Sequence, residues 1–127
     1  MKYGYSRGLT FVRYPDSAPA RDGSFPRNTR SRPTVSIITP AYNAEPFVVE
    51  LTDSVLGQTL ADFEWLVIND NSNDRTEALF RHVADKDSRV RVTSFPENRG
   101  PIEARNHALR NARGRYVAFL DADDLWL

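Results

Sequence analysis

The chain has 127 residues, which is one domain by length. Lys plus Arg number 17 and Asp plus Glu number 17, so the formal net charge is zero and global electrostatics gives no case for a nucleic-acid partner. There is no cysteine, which excludes disulfides and thiolate metal sites. The apolar runs fall far short of the roughly 20 residues that span a bilayer. The N-terminal MKYGYSRGLTFVRYP has no apolar core long enough for a secretory signal, so the expectation is a cytoplasmic protein.

Residues 1–33 read as a flexible basic arm. SAPARDGSFPRNTRSRP has many turn-formers and no apolar period. The segment holds Lys2, Arg7, Arg13, Arg21, Arg27, Arg30 and Arg32 against Asp16 and Asp22. The folded unit is expected over 34–127.

From Thr34 the pattern changes. VSIIT, Val35 to Thr39, is a β-branched run ended by Pro40, and reads as a buried strand. AEPFVVELTDSVLGQ follows, with Phe47, Leu51 and Val55 on one helical stripe, Val48 and Leu56 beside it, and Pro46 in the first turn. FEWLVIN, Phe63 to Asn69, is a second buried strand. NSNDRTE then offers Asp74 and Glu77 at the spacing of a capping box, opening a helix with Leu79 and Val83 inward. RVRVTSF alternates and predicts a third strand. Gly100 and Pro101 introduce a third helix, with Ile102, Ala108 and Leu109 inward and Gly114 as its stop. RYVAFL, Arg115 to Leu120, is the fourth strand.

The order β-α-β-α-β-α-β with short connections predicts an α/β fold, a mostly parallel sheet with flanking helices. Right-handed crossovers bring every strand's C-terminus to one edge, where ligands bind in open sheets. The segments that follow the strands are PAYNAE, DNSND, PENRG and DADD. They supply an aromatic ring (Tyr42), an amide (Asn43), carboxylates (Glu45, Asp70) and an acid cluster (Asp121, Asp123, Asp124). A ring flanks a base, a carboxylate accepts from a base N–H, and a divalent cation on Asp bridges two phosphates. That combination suits a nucleoside diphosphate. Neither G-x-G-x-x-G nor G-x-x-x-x-G-K-[ST] occurs, so metal and Arg, rather than a glycine cradle, must manage the phosphates. Several of these residues also have plain structural readings. Asn43 and Glu45 serve equally as caps of the first helix, and Asp70, with Ser72 and Asn73, as a loop cap for the next helix. His82 and His107 read as packing or surface residues, and Trp65 as core.

VSIITPAYNAEPFV, SVLGQTLADFEWLVINDNSNDRT, RVRVTSFPENRGPIEARNHAL and GRYVAFLDADDLW together resemble the N-terminal half of the family 2 glycosyltransferases, which have the GT-A fold. The resemblance covers about residues 34 to 127. It implies that Pro40, Ala41, Tyr42, Asn43 and Glu45 of the first loop, with Asp70, hold the nucleobase. It implies that Asp121, Asp123 and Asp124 hold Mg²⁺ or Mn²⁺ and the sugar diphosphate, and it adds Arg105 of EARN to the nucleotide site. The implied activity is metal-dependent transfer of a sugar from a nucleotide-diphosphate donor to the hydroxyl of a sugar, lipid-linked or polymer acceptor. The resemblance also admits peripheral attachment at a membrane's inner face. The sheet reads as truncated after its fourth strand, and the catalytic base is expected beyond Leu127. The alternative is a non-catalytic nucleotide-binding fragment without the acceptor half. Within the motifs there are two departures: where the family usually ends the second strand in two acids, the first here is Asn69, and Pro101 sits where small residues are common.

Overall fold

The apolar runs become strands and the helical stripes become helices, in the expected order. The computed structural model describes residues 11–13 and 32–122. These form β1 (Phe11–Arg13), β2 (Val35–Ala41), a 3-10 turn (Glu45–Phe47), α1 (Val48–Leu56), β3 (Phe63–Asn69), α2 (Thr76–Lys86), β4 (Val90–Ser94), α3 (Pro101–Asn111) and β5 (Tyr116–Phe119). The sheet order is β1-β5-β2-β3-β4. β5, β2, β3 and β4 are parallel, and β1 runs antiparallel to β5. The three-residue strand β1 lies inside the segment expected to be a flexible arm. Its apolar content is too short for a period to show.

Direction reverses once in the strand order. From β2 the chain steps outward through β3 to β4. It then crosses back by α3 to place β5 on the other side of β2. Side chains alternate across the sheet, so the two faces bury different partners. Val35, Ile37, Trp65 and Val67 pack with Val48, Leu51 and Val55 of α1 and Phe80 of α2. Ile38, Leu66, Ile68 and Val117 pack with Ala104 and Ala108 of α3. Trp65 is fully buried; its indole N–H donates to Thr39 Oγ1 at 2.8 Å, and its ring meets Phe80 edge-on. The indole is therefore both packed and satisfied.

Several local expectations are corrected. Pro40 does not end β2, which continues to Ala41. The β5 ladder stops at Ile38, so Pro40 withholds no N–H from that neighbour. Phe47 leaves the α1 stripe, because the 3-10 turn shifts the register and Val48 takes the core position. Ile102 is 72% exposed. α3 lies on the sheet through the small residues Ala104 and Ala108, with Leu109 beside them. The capping box does not close. Glu77 Oε2 takes the Ser94 hydroxyl and Arg81 instead of turning back to its own helix start.

Gly114 is not the stop of α3, which ends at Asn111. It is where the chain slides beneath β2. Its N–H donates to Ser36 Oγ at 2.8 Å, and a Cβ there would lie 2.4 Å from Ser36 N and 2.7 Å from Val35 C. Ser36 Oγ in turn donates to the buried Glu64, which also accepts from the Arg113 amide at 2.6 Å and Arg91 at 2.7 Å. This network ties β2, β3 and the start of β5 at the base of the sheet. Backbone is the obstacle at Gly114, so Gly114→Ala is expected to destabilise the fold by about 2–3 kcal/mol, as overpacking does. Urea unfolding checks this, through a lower midpoint at unchanged slope.

Candidate functional site

The C-terminal tips of β2, β3 and β5, with the start of α3, enclose a cleft of about 380 Å³. It sits at the reversal of strand order, between β2 and β5, where open α/β sheets bind ligands. Its walls include Pro40, Ala41, Tyr42, Asn43, Asp70, Arg105 and Asp121. Most of the residues expected at the site therefore share one cavity. Glu45 is not on its wall. Asp123 and Asp124 lie outside the described residues. Ala44, Phe47, Pro101 and Ala122 also line the cleft and were not anticipated. Phe47 had been assigned to the core, and nothing in its spacing signals the 3-10 turn that turns it outward.

The first wall is a loop held from behind. Asn43 adopts φ 48° and Asn71 φ 57°, left-handed values that Asn tolerates best among residues with a Cβ. The Asn43 amide donates to Ser72 Oγ at 3.0 Å, and Asn43 Oδ1 accepts the Asn73 amide at 2.8 Å. The Ala44 amide donates to Thr76 Oγ1 at 2.8 Å. Glu45 is bonded twice across the loops: Asp74 Oδ2 takes its amide at 3.2 Å, and its Oε1 takes the Arg75 amide at 2.9 Å. Asn43 and Glu45 thus act as braces between the loops after β2 and β3. Tyr42, 50% exposed, presents its ring at the front, and its hydroxyl accepts a long contact from Asn73.

Asp70 has its own structural task. It is 3% exposed. Its two carboxylate oxygens accept the amides of Arg99 and Gly100 at 2.7 and 2.8 Å. Gly100, at φ 91°, precedes α3, and no side chain of its own segment caps that helix. Asp70 supplies the acceptor from a neighbouring strand, satisfying otherwise orphaned donors. The carboxylate thus caps the entry to α3 rather than the next helix in the chain, α2, while the residue still lines the cleft.

Asn69 is buried, and it uses both ends of its amide. Nδ2 donates to Ser94 Oγ at 3.1 Å, and Oδ1 accepts the Ser72 amide at 3.3 Å. A carboxylate there could only accept, which gives the departure at this position a physical reason.

The far wall carries charge. Arg105 Nη2 donates to Asp121 Oδ1 at 2.6 Å, with side chains 33% and 40% exposed. Arg99 is exposed and sits over the Phe95 ring at 5.0 Å. His107 meets Phe95 edge-on, and His82 is exposed, so both follow the packing or surface reading. Among the described residues no group of three or more His, Cys, Asp or Glu could hold a metal. Asp121 alone is a single oxygen ligand of the type that hard divalent cations take: it lies on the cleft wall, partly exposed, with Oδ1 paired to the guanidinium.

A parallel α/β sheet with a cleft at its switch point is an architecture that nucleotide-using enzymes share with other ligand-binding proteins. The particular family follows from comparison. The family model for glycosyl transferase family 2 matches residues 36–127, and the chain belongs to that family. It is 43% identical over 98 residues to the putative teichuronic acid biosynthesis glycosyltransferase TuaG of Bacillus subtilis, covering 77% of this chain and 39% of TuaG. It is 45% identical over 93 residues to the Escherichia coli UDP-Glc:alpha-D-GlcNAc-diphosphoundecaprenol beta-1,3-glucosyltransferase WfgD, covering 73% of this chain and 36% of WfgD. Among solved structures, Staphylococcus aureus TarS 1-349 in complex with UDP-GlcNAc superposes with TM-score 0.68 at 35% identity, over 72% of this chain and 27% of that one. The mannosyltransferase PcManGT of Pyrobaculum calidifontis, in complex with GDP-Man and Mn²⁺, gives 0.69 at 32% identity, over 89% and 32%. The fold expectation therefore holds, and the chain spans less than two fifths of these relatives' lengths.

Three carboxylates outside the cleft titrate low. For Asp74, desolvation pushes upward but is outweighed by the Thr76 hydroxyl and amide and the Glu45 amide. Glu77 is lowered by the Ser94 hydroxyl and Arg81, and Asp87 by Arg89. Each folded value lies below the ordinary one, so the folded state binds fewer protons. The stabilisation is complete above the ordinary values of 3.8 and 4.5, and is lost as pH falls through the depressed ones. Stability is expected to be level near neutrality and to fall below about pH 4.5. In Asp74→Asn the fall is expected to be shallower, and the Glu45 and Thr76 amides are expected to exchange faster at neutral pH. Hydrogen exchange and denaturation against pH check both.

Proposed function

We propose that the cleft is the donor site of a metal-dependent glycosyltransferase and holds the nucleoside diphosphate of a nucleotide sugar. The observation that carries this reading is the convergence of Pro40–Asn43, Asp70, Arg105 and Asp121 on one cavity at the switch point. Tyr42 offers a half-open aromatic face for the base, with Ala41, Asn43 and Asp70 around it. Arg105 and Asp121, also on the cleft wall, would face the phosphates. Asp121, with Asp123 and Asp124 of the same motif, would hold Mg²⁺ or Mn²⁺. When bound, that ion would neutralise charge developing on the departing diphosphate. The relatives support the choice of ligand: TarS is solved with UDP-GlcNAc, and PcManGT with GDP-Man and Mn²⁺.

For the whole protein we propose transfer to a sugar, lipid-linked or polymer hydroxyl; WfgD, by its name, acts on a diphosphoundecaprenol-linked sugar. No residue of this chain is assigned as the catalytic base. No helix among the described residues is long and apolar enough to cross a membrane. The part proposed for this chain is donor binding.

Titration calorimetry with UDP and GDP tests the reading. One of the two is expected to bind at least about tenfold more tightly with Mn²⁺ present, equivalent to about 1.4 kcal/mol. Asp123→Ala is expected to remove that dependence. Absence of binding for both nucleotides, with and without metal, would sink the donor-site reading. Donor hydrolysis by the chain alone would separate an active unit from a binding unit.

A further inference from the structure

The Arg105–Asp121 ion pair is placed oddly for a structural bond. Both partners are partly open to solvent, and exposed pairs stabilise little. Neither element needs it for anchorage. α3 is pinned by Asp70 on the Arg99 and Gly100 amides and by Ala104 and Ala108 against the sheet. The tip of β5 is held by the Leu120 amide on the Ile38 carbonyl at 2.9 Å. What the pair does is put a fixed positive charge on the one described carboxylate of the acid motif, inside the cleft.

Resting on the donor-site reading, we propose that Arg105 is an exchangeable counter-ion. In the empty cleft its guanidinium occupies Asp121. When donor and divalent cation bind, the cation takes over the carboxylate and Arg105 turns to an oxygen of the diphosphate. Two cations cannot share one carboxylate at close range without repulsion. A diphosphate removes that conflict, because it offers both cations new oxygens. A guanidinium suits both states: its fork fits carboxylate and phosphate alike, and it stays charged at every working pH. The consequence is coupling. Metal alone binds weakly against Arg105, nucleotide strengthens it, and by linkage metal strengthens nucleotide by the same factor. The empty cleft is thereby kept from being occupied by a lone cation.

The test uses the 127-residue chain, with Mn²⁺ alone followed by the electron paramagnetic resonance of the free ion, and UDP and GDP by calorimetry. R105Q is expected to bind Mn²⁺ alone about tenfold more tightly than wild type, and to lose a similar factor from the nucleotide–metal coupling. R105K keeps the charge and is expected to stay near wild type for Mn²⁺ alone. Folded R105Q with unchanged or weaker Mn²⁺ binding overturns the counter-ion role, even where the wild-type chain binds nucleotide with metal. A wild-type chain that binds neither Mn²⁺ nor nucleotide removes the donor-site reading and this proposal with it. The exchange also reads without a variant. The Arg105 Nε–H resonance of the wild-type chain is expected to move when Mg²⁺ and the bound nucleotide are added together. A resonance that stays in place overturns the exchange.

Discussion

A buried carboxylate at a strand tip, its two oxygens on two backbone amides, fixes the geometry of this molecule's working edge. Asp70 leaves the end of β3 and takes the Arg99 and Gly100 amides. Its own amide donates to the Ala41 carbonyl at 2.8 Å, and its carbonyl accepts from Asn98 at 3.2 Å. One residue thereby joins the tip of β2, the tip of β3 and the entry to α3. Charge-assisted bonds of this kind, away from water, are stronger than neutral ones. The start of α3 is set by them, and the helix then carries Arg105 to Asp121. Asp70 thus links the aromatic wall of the cleft to its charged wall.

The opposite end of the sheet shows the same economy with different chemistry. Glu64 is buried at the base of β3, and gathers Ser36, the Arg113 amide and Arg91. Gly114 lets the incoming strand approach β2 closely enough to donate into this network. A central parallel strand needs neighbours on both sides, and β5 becomes one only if it enters in the register that pairs Val35 with Tyr116. The base network holds that register, and β5 delivers Asp121 to the cleft because of it. Fold and site are joined through the alignment of one strand.

Much of this was legible in the sequence, for physical reasons. β-branched runs and helical stripes report burial directly, so the four parallel strands and three helices were visible. So was the edge at which Pro40, Ala41, Tyr42, Asn43, Asp70 and Asp121 meet, because topology alone brings strand tips together; Arg105, on α3, came from the family resemblance alone. What stayed hidden depends on register and reach. The 3-10 turn moved Phe47 from the core to the cleft, and a small-residue contact through Ala104 and Ala108 turned Ile102 outward. β1 is too short to show a period. The expected partners of Asp74 and Glu77 lay within one helix. Beside the local Thr76 and Arg81, the partners include Glu45 and Ser94, far apart in sequence, and a local spacing rule cannot find those two. Nothing in FEWLVIN marks Glu64 as an acceptor for several elements; its donors are gathered by the fold.

The bracing of the first loop bears on recognition. Asn43 and Asn71 hold left-handed conformations, and side chains of the next loop bond the backbone between Asn43 and Glu45. Ordering a loop at the moment of binding subtracts from affinity, whereas a loop rigidified during folding brings no such loss. The Tyr42 side of the cleft is in this sense preorganised: a planar ring meets a surface already in its bound shape. Selectivity there is expected to follow from shape and fit. Adjustment falls to the opposite wall, where a single ion pair is the moving part.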